Sequence, residues 1–400
     1  MRRSDTSSGS VAAGISAVLL ASDPGMAFAA ARCLRFAGMR FRLLGAARYP
    51  AVRTMLVCRG ATRVTMGPTR SEPGTALEQL QAALAESPDA VAVPAGLAAT
   101  FYLARHATAL PASQVFPLSP EPLLQQVHGK WEFSALCRSL GVRHPRTALV
   151  ERAEDLRDLP LELPVVVKPL EAEGSRGVRV VHDRATLTRL VDRVAGAGLL
   201  PVLLQEFVAG DDMGVSVVAD HGRVVACRLQ SPAEGGRLDY LDRPDALELA
   251  RTLVAGTDYH GVANIDLRCS AADDQLYALE WNPRLYATSH QSCYAGMNPV
   301  ALGISLARSQ PLTLDLLRAT DVLRPGTAAR RLLRREPVSL ASRWAAEAEL
   351  REPLSSGVRA LEWRFPELFR RLRGEERNVW DVLADQVDAE EPAPALASSR

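Results

Sequence analysis

Two carboxylates and one amide lie near the ends of two apolar segments, in a pattern that could bind a metal ion. Residues 262–269 and 276–282 have the composition of β-strands, and the polar stretch between them has the composition of a turn. If this turn is tight, the hairpin register places Asp266 directly opposite Glu280. Asn282 lies two residues after Glu280, so both side chains share one face of the sheet.

Two carboxylates that face each other across a strand pair repel, which destabilises the pair. A divalent cation removes this conflict, and oxygen atoms are the ligands that Mg²⁺ prefers. Because Mg²⁺ in proteins usually keeps substrate phosphates as further ligands, the pair also indicates a nucleotide. The alternative is that both carboxylates are solvated on an exposed sheet face, the commoner position of Asp and Glu.

A glycine-containing loop between two other predicted strands could bind phosphate. The segment VVVKPLEAEGSRGV ends its first strand at Lys168 and then carries Gly174, Ser175 and Gly177. Glycines allow backbone N–H groups to approach phosphate oxygens, and a lysine supplies a point charge for the same oxygens. The alternative is an ordinary hairpin loop with a lysine that reaches solvent.

A third segment, LLQEFVAGDD, follows an apolar strand at 202–206 and continues into an acidic turn. Backbone groups at a strand exit, beside apolar side chains, suit the edge of an adenine ring. A carboxylate a few residues later suits ribose hydroxyls. Taken alone, the segment is only a strand followed by a turn.

The first part of the chain alternates predicted strands and helices. Strands at 15–20 and 40–45 flank a helix that Asp23 caps and Gly38 ends, and a strand at 89–93 follows. Alternation of this kind predicts a small parallel α/β sheet. The sequence has no Gly-x-Gly-x-x-Gly fingerprint, so a dinucleotide-dependent oxidoreductase is disfavoured.

The pattern then changes along the chain. Residues 118–310 combine hairpins with helices such as 130–140, which predicts an α+β region. Residues 311–387 have a helical pattern with a basic run, which we interpret as a solvated amphipathic helix. The tail at 388–400 is rich in Glu, Pro, Ala and Ser, which predicts disorder. We expect disorder at residues 1–12 as well.

The composition excludes several classes of function. Among 400 residues, 47 are basic and 46 acidic, for a formal net charge of +1, so a dedicated nucleic-acid binder is disfavoured. Aromatic residues make up 5%, too few for a base-stacking platform. The six cysteines form no Cys-x-x-Cys pair, so the sequence indicates neither a zinc site of that spacing nor a disulfide framework.

The beginning of the chain resembles a secretory signal, because an apolar run at 11–21 precedes the Ala-x-Ala triplet at 27–29. Asp23, Pro24 and Gly25 separate the run from the triplet, however. We therefore interpret the run as a buried strand that enters a helix. No later segment has the length to span a membrane, and we expect a cytoplasmic protein with free thiols.

Taken together, VVVKPLEAEGSRGV, LLQEFVAGDD, GVANIDLR and LEWNPR resemble the ATP-grasp superfamily in type and order. The pattern is most similar to the carboxylate–amine ligases and the carbamoyl-phosphate-synthetase-like branch, in which Glu-x-Asn-Pro-Arg is typical. The resemblance covers about residues 118–310. It implies an ATP-grasp core of two α+β subdomains, a preceding Rossmann-like domain at 13–117 and a C-terminal helical extension.

The resemblance also implies roles for individual residues. Mg²⁺, or Mn²⁺ in its place, would be bound by Asp266, Glu280 and Asn282, while Arg284 or Arg228 would stabilise charge on the transferred phosphate. Lys130 and Lys168 would contact the ATP phosphates, Ser175, Arg176 and Gly177 would cover them, Gln205, Glu206 and Val208 would hold adenine, and Asp212 would hold ribose. Two positions depart from the family pattern: Asp212 replaces a commoner Glu, and Asn264 replaces an Arg of some peptide-ligase branches.

These features predict an ATP-dependent ligase. It would join a small-molecule carboxylate, such as an amino acid, to an amine through an acylphosphate, with release of ADP and phosphate. A kinase or a carboxylase would use the same ATP site with another acceptor, and a non-catalytic module would bind ATP without turnover. No nucleic-acid or membrane partner is expected, and dimers are common among similar proteins. His128, His260 and His290 are further candidates for substrate contact.

Overall fold

The computed structural model describes residues 15–45, 62–63, 73–171, 177–234, 237–312, 320–323 and 325–350. The predicted disordered ends, the helical prediction beyond residue 350, and the loop residues Ser175 and Arg176 lie outside these ranges. Within them, every helix is too short or too polar to cross a bilayer.

The first region forms a four-stranded parallel sheet, as the alternation of strands and helices predicts. Its strands are β1 (Ile15–Ala21), β2 (Arg40–Gly45), β3 (Thr62–Arg63) and β4 (Val91–Ala95), in the spatial order β3-β2-β1-β4. Its helices are α1 (Pro24–Phe36), α2 (Pro73–Ala85) and α3 (Leu97–His106). Asp23 caps α1 by accepting a hydrogen bond from the Met26 amide at 2.8 Å. Gly38 follows the helix with φ +67°, a value that glycine adopts without strain.

Two short helices lead into a second, antiparallel sheet. They are α4 (Glu121–His128) and α5 (Lys130–Ser139). The sheet contains β5 (Thr147–Val150), β6 (Val165–Pro169), β7 (Arg179–Val181) and β8 (Val202–Glu206), in the order β5-β8-β6-β7. Helix α6 (Arg184–Gly196) buries the four apolar side chains that helical spacing places on one face: Leu187, Leu190, Val191 and Val194.

The third sheet is antiparallel and six-stranded. Its strands are β9 (Gly210–Asp220), β10 (Arg223–Ala233), β11 (Arg237–Leu241), β12 (Gly261–Ser270), β13 (Leu276–Asn282) and β14 (Asp321–Leu323), in the order β13-β12-β9-β10-β11-β14. Helix α7 (Pro244–Gly256) connects β11 to β12. Trp281 is fully buried and packs edge-to-face on Phe133, with 6.2 Å between ring centroids. Because neighbours along a strand point to opposite faces, this burial directs Glu280 and Asn282 to the other face.

The last described part of the chain is not purely helical. Its helices are α8 (Ser289–Ser292), α9 (Pro299–Ala307), α10 (Pro325–Leu333) and α11 (Leu340–Leu350). The prediction of helices alone beyond residue 310 was incomplete, because β14 pairs with β11 and extends the six-stranded sheet. A strand of three residues is too short to show an alternating pattern in the sequence.

The regions share an apolar core. Val218 of β9, Val262 of β12 and Val300 of α9 belong to the same buried cluster as Leu19 of β1 and Val93 of β4. The parallel sheet is therefore packed against the elements that lead to the predicted metal ligands. The cysteines within the described residues are free, as predicted, and Cys58 lies outside the described ranges.

Candidate active site

A cavity of about 430 Å³ lies between the two antiparallel sheets. This volume is in the range of small-molecule sites. Apolar side chains such as Val166, Val180 and Phe207 form part of its wall. The cavity lining also contains eight of the residues to which the sequence assigns a role: Lys130, Lys168, Gln205, Glu206, Val208, Asp212, Asp266 and Glu280.

The hairpin register predicted for the carboxylates is confirmed. Asp266 pairs with Glu280, and Asn264 pairs with Asn282, with a register shift immediately after Asp266. Such β-bulges redirect side chains and are common beside active sites. Oδ1 of Asp266 accepts a hydrogen bond from Nδ2 of Asn264 at 2.6 Å, and Oδ2 accepts one from Nδ2 of Asn282 at 3.0 Å. The three predicted metal ligands are thus neighbours, and two of them, Asp266 and Glu280, line the cavity.

The electrostatics of this end suit a divalent cation. Burial, and next the neighbouring Glu280 carboxylate, raise the pKa of Asp266 to about 7, against the opposing effect of Arg284. Two neighbouring carboxyl groups, of which Asp266 is buried, favour the binding of a cation. Since Asn282 donates to Asp266 through its nitrogen, its amide oxygen remains as a further oxygen ligand. The donor set is therefore composed of oxygen, which fits Mg²⁺.

The raised pKa of Asp266 gives a pH dependence of stability that can be tested. An unfolded aspartate titrates near 3.8 and the folded one near 7, so between these values the folded state holds more protons. Stability without metal should therefore fall as the pH rises from about 4 to 7. Asp266→Asn should remove this decrease, and Mg²⁺ should offset it in the wild type. Tm measured against pH, with EDTA or with Mg²⁺, checks the prediction; a parallel decrease in the variant would contradict it.

Both lysines of the chain line this cavity. Lys130 and Lys168 are the only lysines among 47 basic residues, and the remainder are arginines. Nζ of Lys130 donates to the Leu170 carbonyl at 3.0 Å, and Nζ of Lys168 donates to Oε1 of Gln205 at 2.6 Å. A lysine ammonium is a compact point charge, whereas the guanidinium of arginine is a broad planar fork. The chain therefore has this compact cation only where the sequence predicts phosphate oxygens.

Lys168 is held in a position that destabilises its charge. Burial is the main reason why its pKa is lowered to about 8, and the nearby Lys130 lowers it further, while Glu280 and Asp266 act in the opposite direction. Gln205, which accepts from Lys168, also donates through Nε2 to Oγ1 of Thr147 at 3.2 Å. The Gln205 side chain, predicted to hold adenine, thus also orients the lysine.

The sequence interpretation missed Arg268, which lies on the cavity wall. Its Nε atom donates to the Val208 carbonyl at 3.0 Å, and its guanidinium forms an ion pair with Asp212. Arg268 thereby links the segment predicted for adenine to the carboxylate predicted for ribose. Its position two residues after Asp266, on the same face of β12, was the available signal.

Other predicted residues lie away from the cavity lining. Nε of Arg228 donates to the Ala295 carbonyl at 2.8 Å, and Nη1 of Arg284 donates to the Leu285 carbonyl at 3.2 Å. Arg284 is nevertheless near enough to Asp266 to lower its pKa. His290 is buried against Phe28, with 5.8 Å between ring centroids. Gly177 begins the described chain after the predicted phosphate loop, with φ +70°.

The family comparison agrees with this geometry. Residues 199–324, which include the predicted metal ligands and all six strands of the third sheet, match the family model described as ATP-grasp in the biosynthetic pathway with Ter operon. This part of the chain is similar to an ATP-grasp domain. The motif-based resemblance is thus confirmed at the level of the superfamily.

The chain is also similar to the carbamoyl phosphate synthase large chain of Deinococcus deserti, which is 28% identical over 189 residues. The match covers 42% of this chain and 18% of that protein, so the chain matches less than a fifth of this relative's length. The match covers only a small share of that protein. It therefore indicates a similar domain and does not identify the reaction.

Solved structures show the same fold. The carboxyaminoimidazole ribonucleotide synthase of Aspergillus clavatus, complexed with ATP, superimposes with a TM-score of 0.61 and 14% identity, over 80% of this chain and 86% of that one. The L-amino acid ligase of Bacillus licheniformis gives a TM-score of 0.55 and 17% identity, over 74% of each chain. At these identities the likeness extends to the architecture and no further.

Proposed function

We propose that the protein is an ATP-dependent carboxylate–amine ligase. The observation that carries the proposal is the meeting of opposed carboxylates, Asp266 and Glu280, and the chain's only two lysines in one cavity between two sheets. The two lysines suit the phosphates of a nucleoside triphosphate, and the two carboxylates suit a metal ion bound to its terminal phosphate. A nucleotide also needs apolar surface, and the same cavity provides it.

ATP would lie along the cavity with its base toward Glu206, Phe207 and Val208. The side chains of Val166 and Val180, which are cross-strand neighbours, would contact one face of the adenine ring, and Asp212 would accept from ribose hydroxyls. Lys130 and Lys168 would contact the phosphates. Asp266, Glu280 and Asn282 would hold Mg²⁺, or Mn²⁺ in its place, and the ion when bound would neutralise charge on the transferred phosphate.

The proposed reaction proceeds in two steps. A carboxylate oxygen of the first substrate attacks the γ-phosphorus of ATP, the bond to the β-phosphate oxygen breaks, and ADP leaves with that oxygen's electron pair. An amine then attacks the acylphosphate carbonyl and displaces phosphate, with loss of a proton, to form an amide. Lys168 and Lys130 would hold charge that develops on the phosphate oxygens, which is the main demand of phosphoryl transfer.

Arg284 and Arg228 would act on the side of the substrate carboxylate. Arg228 shares a sheet face with Gln230, which lines the cavity and donates through Nε2 to Oγ1 of Thr288 at 3.3 Å. The polar surface of the sheet thus continues beyond the carboxylates toward these residues. We propose that small-molecule substrates enter from this side.

The division of the chain follows the same proposal. Residues 13–117 would form the Rossmann-like domain that precedes the core, and 118–310 would form the ATP-grasp core itself. Residues 311–387 would form a C-terminal extension anchored by β14. The protein would act in the cytoplasm, and a homodimer is the assembly that we propose.

A screen of ADP release tests the reaction. Purified protein with ATP and Mg²⁺ would be offered amino acids and amines, singly and in pairs, with the Glu280→Gln variant as background. We expect ADP and phosphate only when a carboxylate and an amine are both present, together with an amide product by mass spectrometry. ADP release with bicarbonate would indicate a carboxylase, and a stable phosphorylated product would indicate a kinase. ATP binding without turnover under any pairing would indicate a non-catalytic module and overturn the proposal.

A further inference from the structure

Two histidines and an aspartate lie together at the β9–β10 turn of the six-stranded sheet. Asp220 is the last residue of β9, His221 follows it in the turn, and His260 directly precedes β12. The ligand atoms of the three side chains all lie within 4.8 Å of one another. Neither the cavity nor the proposed reaction uses these residues.

This cluster is distant from the predicted Mg²⁺ ligands. Asp266 pairs with Gly214 of β9, and Asp220 lies six residues further along the same strand. At about 3.3 Å per residue the separation is about 20 Å. An ion at the cluster would therefore be a second ion, independent of the nucleotide.

His260 has a ring nitrogen that is not engaged by a hydrogen bond. Its Nδ1 atom is buried and has no hydrogen-bond partner within the described part of the chain. Oδ1 of Asp220 is 3.5 Å from it, near enough for an electrostatic interaction. Burial, and next the adjacent His221, lower the pKa of His260, which favours the neutral ring that binds metal ions.

His221 adopts a backbone conformation that suits another residue type better. It has φ +42° and Gly222 has φ +72°, the pattern of a two-residue type I′ turn, for which Asn-Gly is preferred. Its imidazole is exposed and stacks on His260, with 4.1 Å between centroids and 11° between ring planes. A second nitrogen ligand is thus present at a position where asparagine would fit the backbone better.

We propose that Asp220, His221 and His260 bind a divalent cation of the Zn²⁺ class. Two imidazoles and one carboxylate are typical ligands of such ions, whereas Mg²⁺ prefers oxygen alone. A water molecule would complete a tetrahedral shell. Only the exposed His221 ring has to turn for its nitrogen to converge with the other two ligands.

The other two ligands are already held in place. Oδ2 of Asp220 accepts from Nη2 of Arg223 at 3.0 Å, and the amide of His260 donates to Oγ of Ser119 at 2.9 Å. The Gly222 amide donates to the Tyr259 carbonyl at 3.0 Å, so the turn already contacts the segment before β12. The ion would strengthen the contacts among three segments: the β9–β10 turn, the residues before β12, and the segment around Ser119 that follows the parallel sheet.

Calorimetric titration of Zn²⁺ tests the site. The full chain, freed of any histidine tag and stripped of metal, would be titrated with Mg²⁺ in excess to occupy the oxygen ligands of the cavity. We expect one Zn²⁺ per chain and a higher Tm with Zn²⁺. His221→Asn should lower the affinity by about 100-fold or more, since loss even of an outer partner of a metal ligand costs 10- to 100-fold.

The variants separate loss of a ligand from loss of the fold. Asparagine suits the type I′ turn, so His221→Asn should keep or raise the Tm measured without metal. His182→Asn, at an exposed histidine outside the cluster, is the matched control and should bind Zn²⁺ as the wild type does. Asp220→Asn should also weaken binding.

Co²⁺ in place of Zn²⁺ identifies the ligand type by its absorption spectrum. The site predicts visible d–d bands without the intense near-ultraviolet band of thiolate ligands. No Zn²⁺ binding, equal affinity in His221→Asn and wild type, or a thiolate band would each overturn the proposal. These outcomes do not depend on ATP turnover, so they are distinct from failure of the proposed ligase reaction.

Discussion

Glu280→Gln is expected to lower the rate of ADP release by about 100- to 1000-fold, the usual effect of removing one group that stabilises a charged transition state. The variant keeps the volume of the side chain and removes one of the two charges that oppose each other across β12 and β13. With one negative charge fewer, the metal would bind more weakly. The Mg²⁺ concentration needed for half-maximal activity should therefore rise, which a titration of ADP release against Mg²⁺ measures.

Stability provides a second measurement for this variant. Because the two carboxylates repel in the absence of a cation, Glu280→Gln should unfold at the same or a higher temperature than the wild type in EDTA. Glu248→Gln is a matched control, since Glu248 is exposed on α7 and forms only a surface ion pair with Arg251. Wild-type activity in Glu280→Gln, or equal losses in both variants, would contradict the metal-binding role.

The metal end of the site could be predicted because its residues are close in the sequence. Asp266 and Glu280 belong to one hairpin, so strand period and turn length alone determine that they face each other. The register of local antiparallel pairs depends on few contacts.

Contacts between distant segments could not be derived in this way. The hydrogen bond from Lys168 to Gln205 depends on the pairing of β6 with β8, which a helix and a third strand separate in the sequence. Its prediction needed the resemblance to a family, because loop and crossover geometry are not encoded in local periodicity. The link from Arg268 to Val208 was missed for the same reason.

The short strand β14 could not be predicted from the sequence for a different reason. β14 has three residues, Asp321–Leu323, and forms only because the exposed edge of β11 is available for pairing. The intrinsic β-strand propensity of these three residues contributes less to strand formation than the pairing with β11 does. The helices that follow it have strong local patterns, and α10 and α11 were therefore predicted as helical.

Lys168→Met is expected to lower the rate of ADP release by about 100- to 1000-fold, because it removes an ammonium that donates to Gln205 and interacts electrostatically with the acidic pair Glu280 and Asp266. Lys168→Arg should be nearly as inactive, although it keeps the charge, since a planar guanidinium cannot occupy the position of a compact ammonium. We expect both variants to lose far less thermal stability than activity, because burial already disfavours the charged lysine. Tm measures the change in stability, and the rate of ADP release against ATP concentration measures the loss of activity.

The lysine content of the chain allows a direct test of where ATP binds. With only two lysines in 400 residues, reductive methylation followed by peptide mass spectrometry reports separately on Lys130 and Lys168. The pKa of Lys168 is lowered to about 8, so at pH 7.5 a larger fraction of it is neutral and nucleophilic than of an ordinary lysine, and it should react quickly wherever the reagent can enter. ATP with Mg²⁺ should slow methylation at both lysines, and the Glu280→Gln variant should need more Mg²⁺ for the same protection. Unchanged methylation of both lysines at saturating nucleotide would show that the triphosphate does not lie between these sheets, because a phosphate bound to an ammonium must shield it from the reagent.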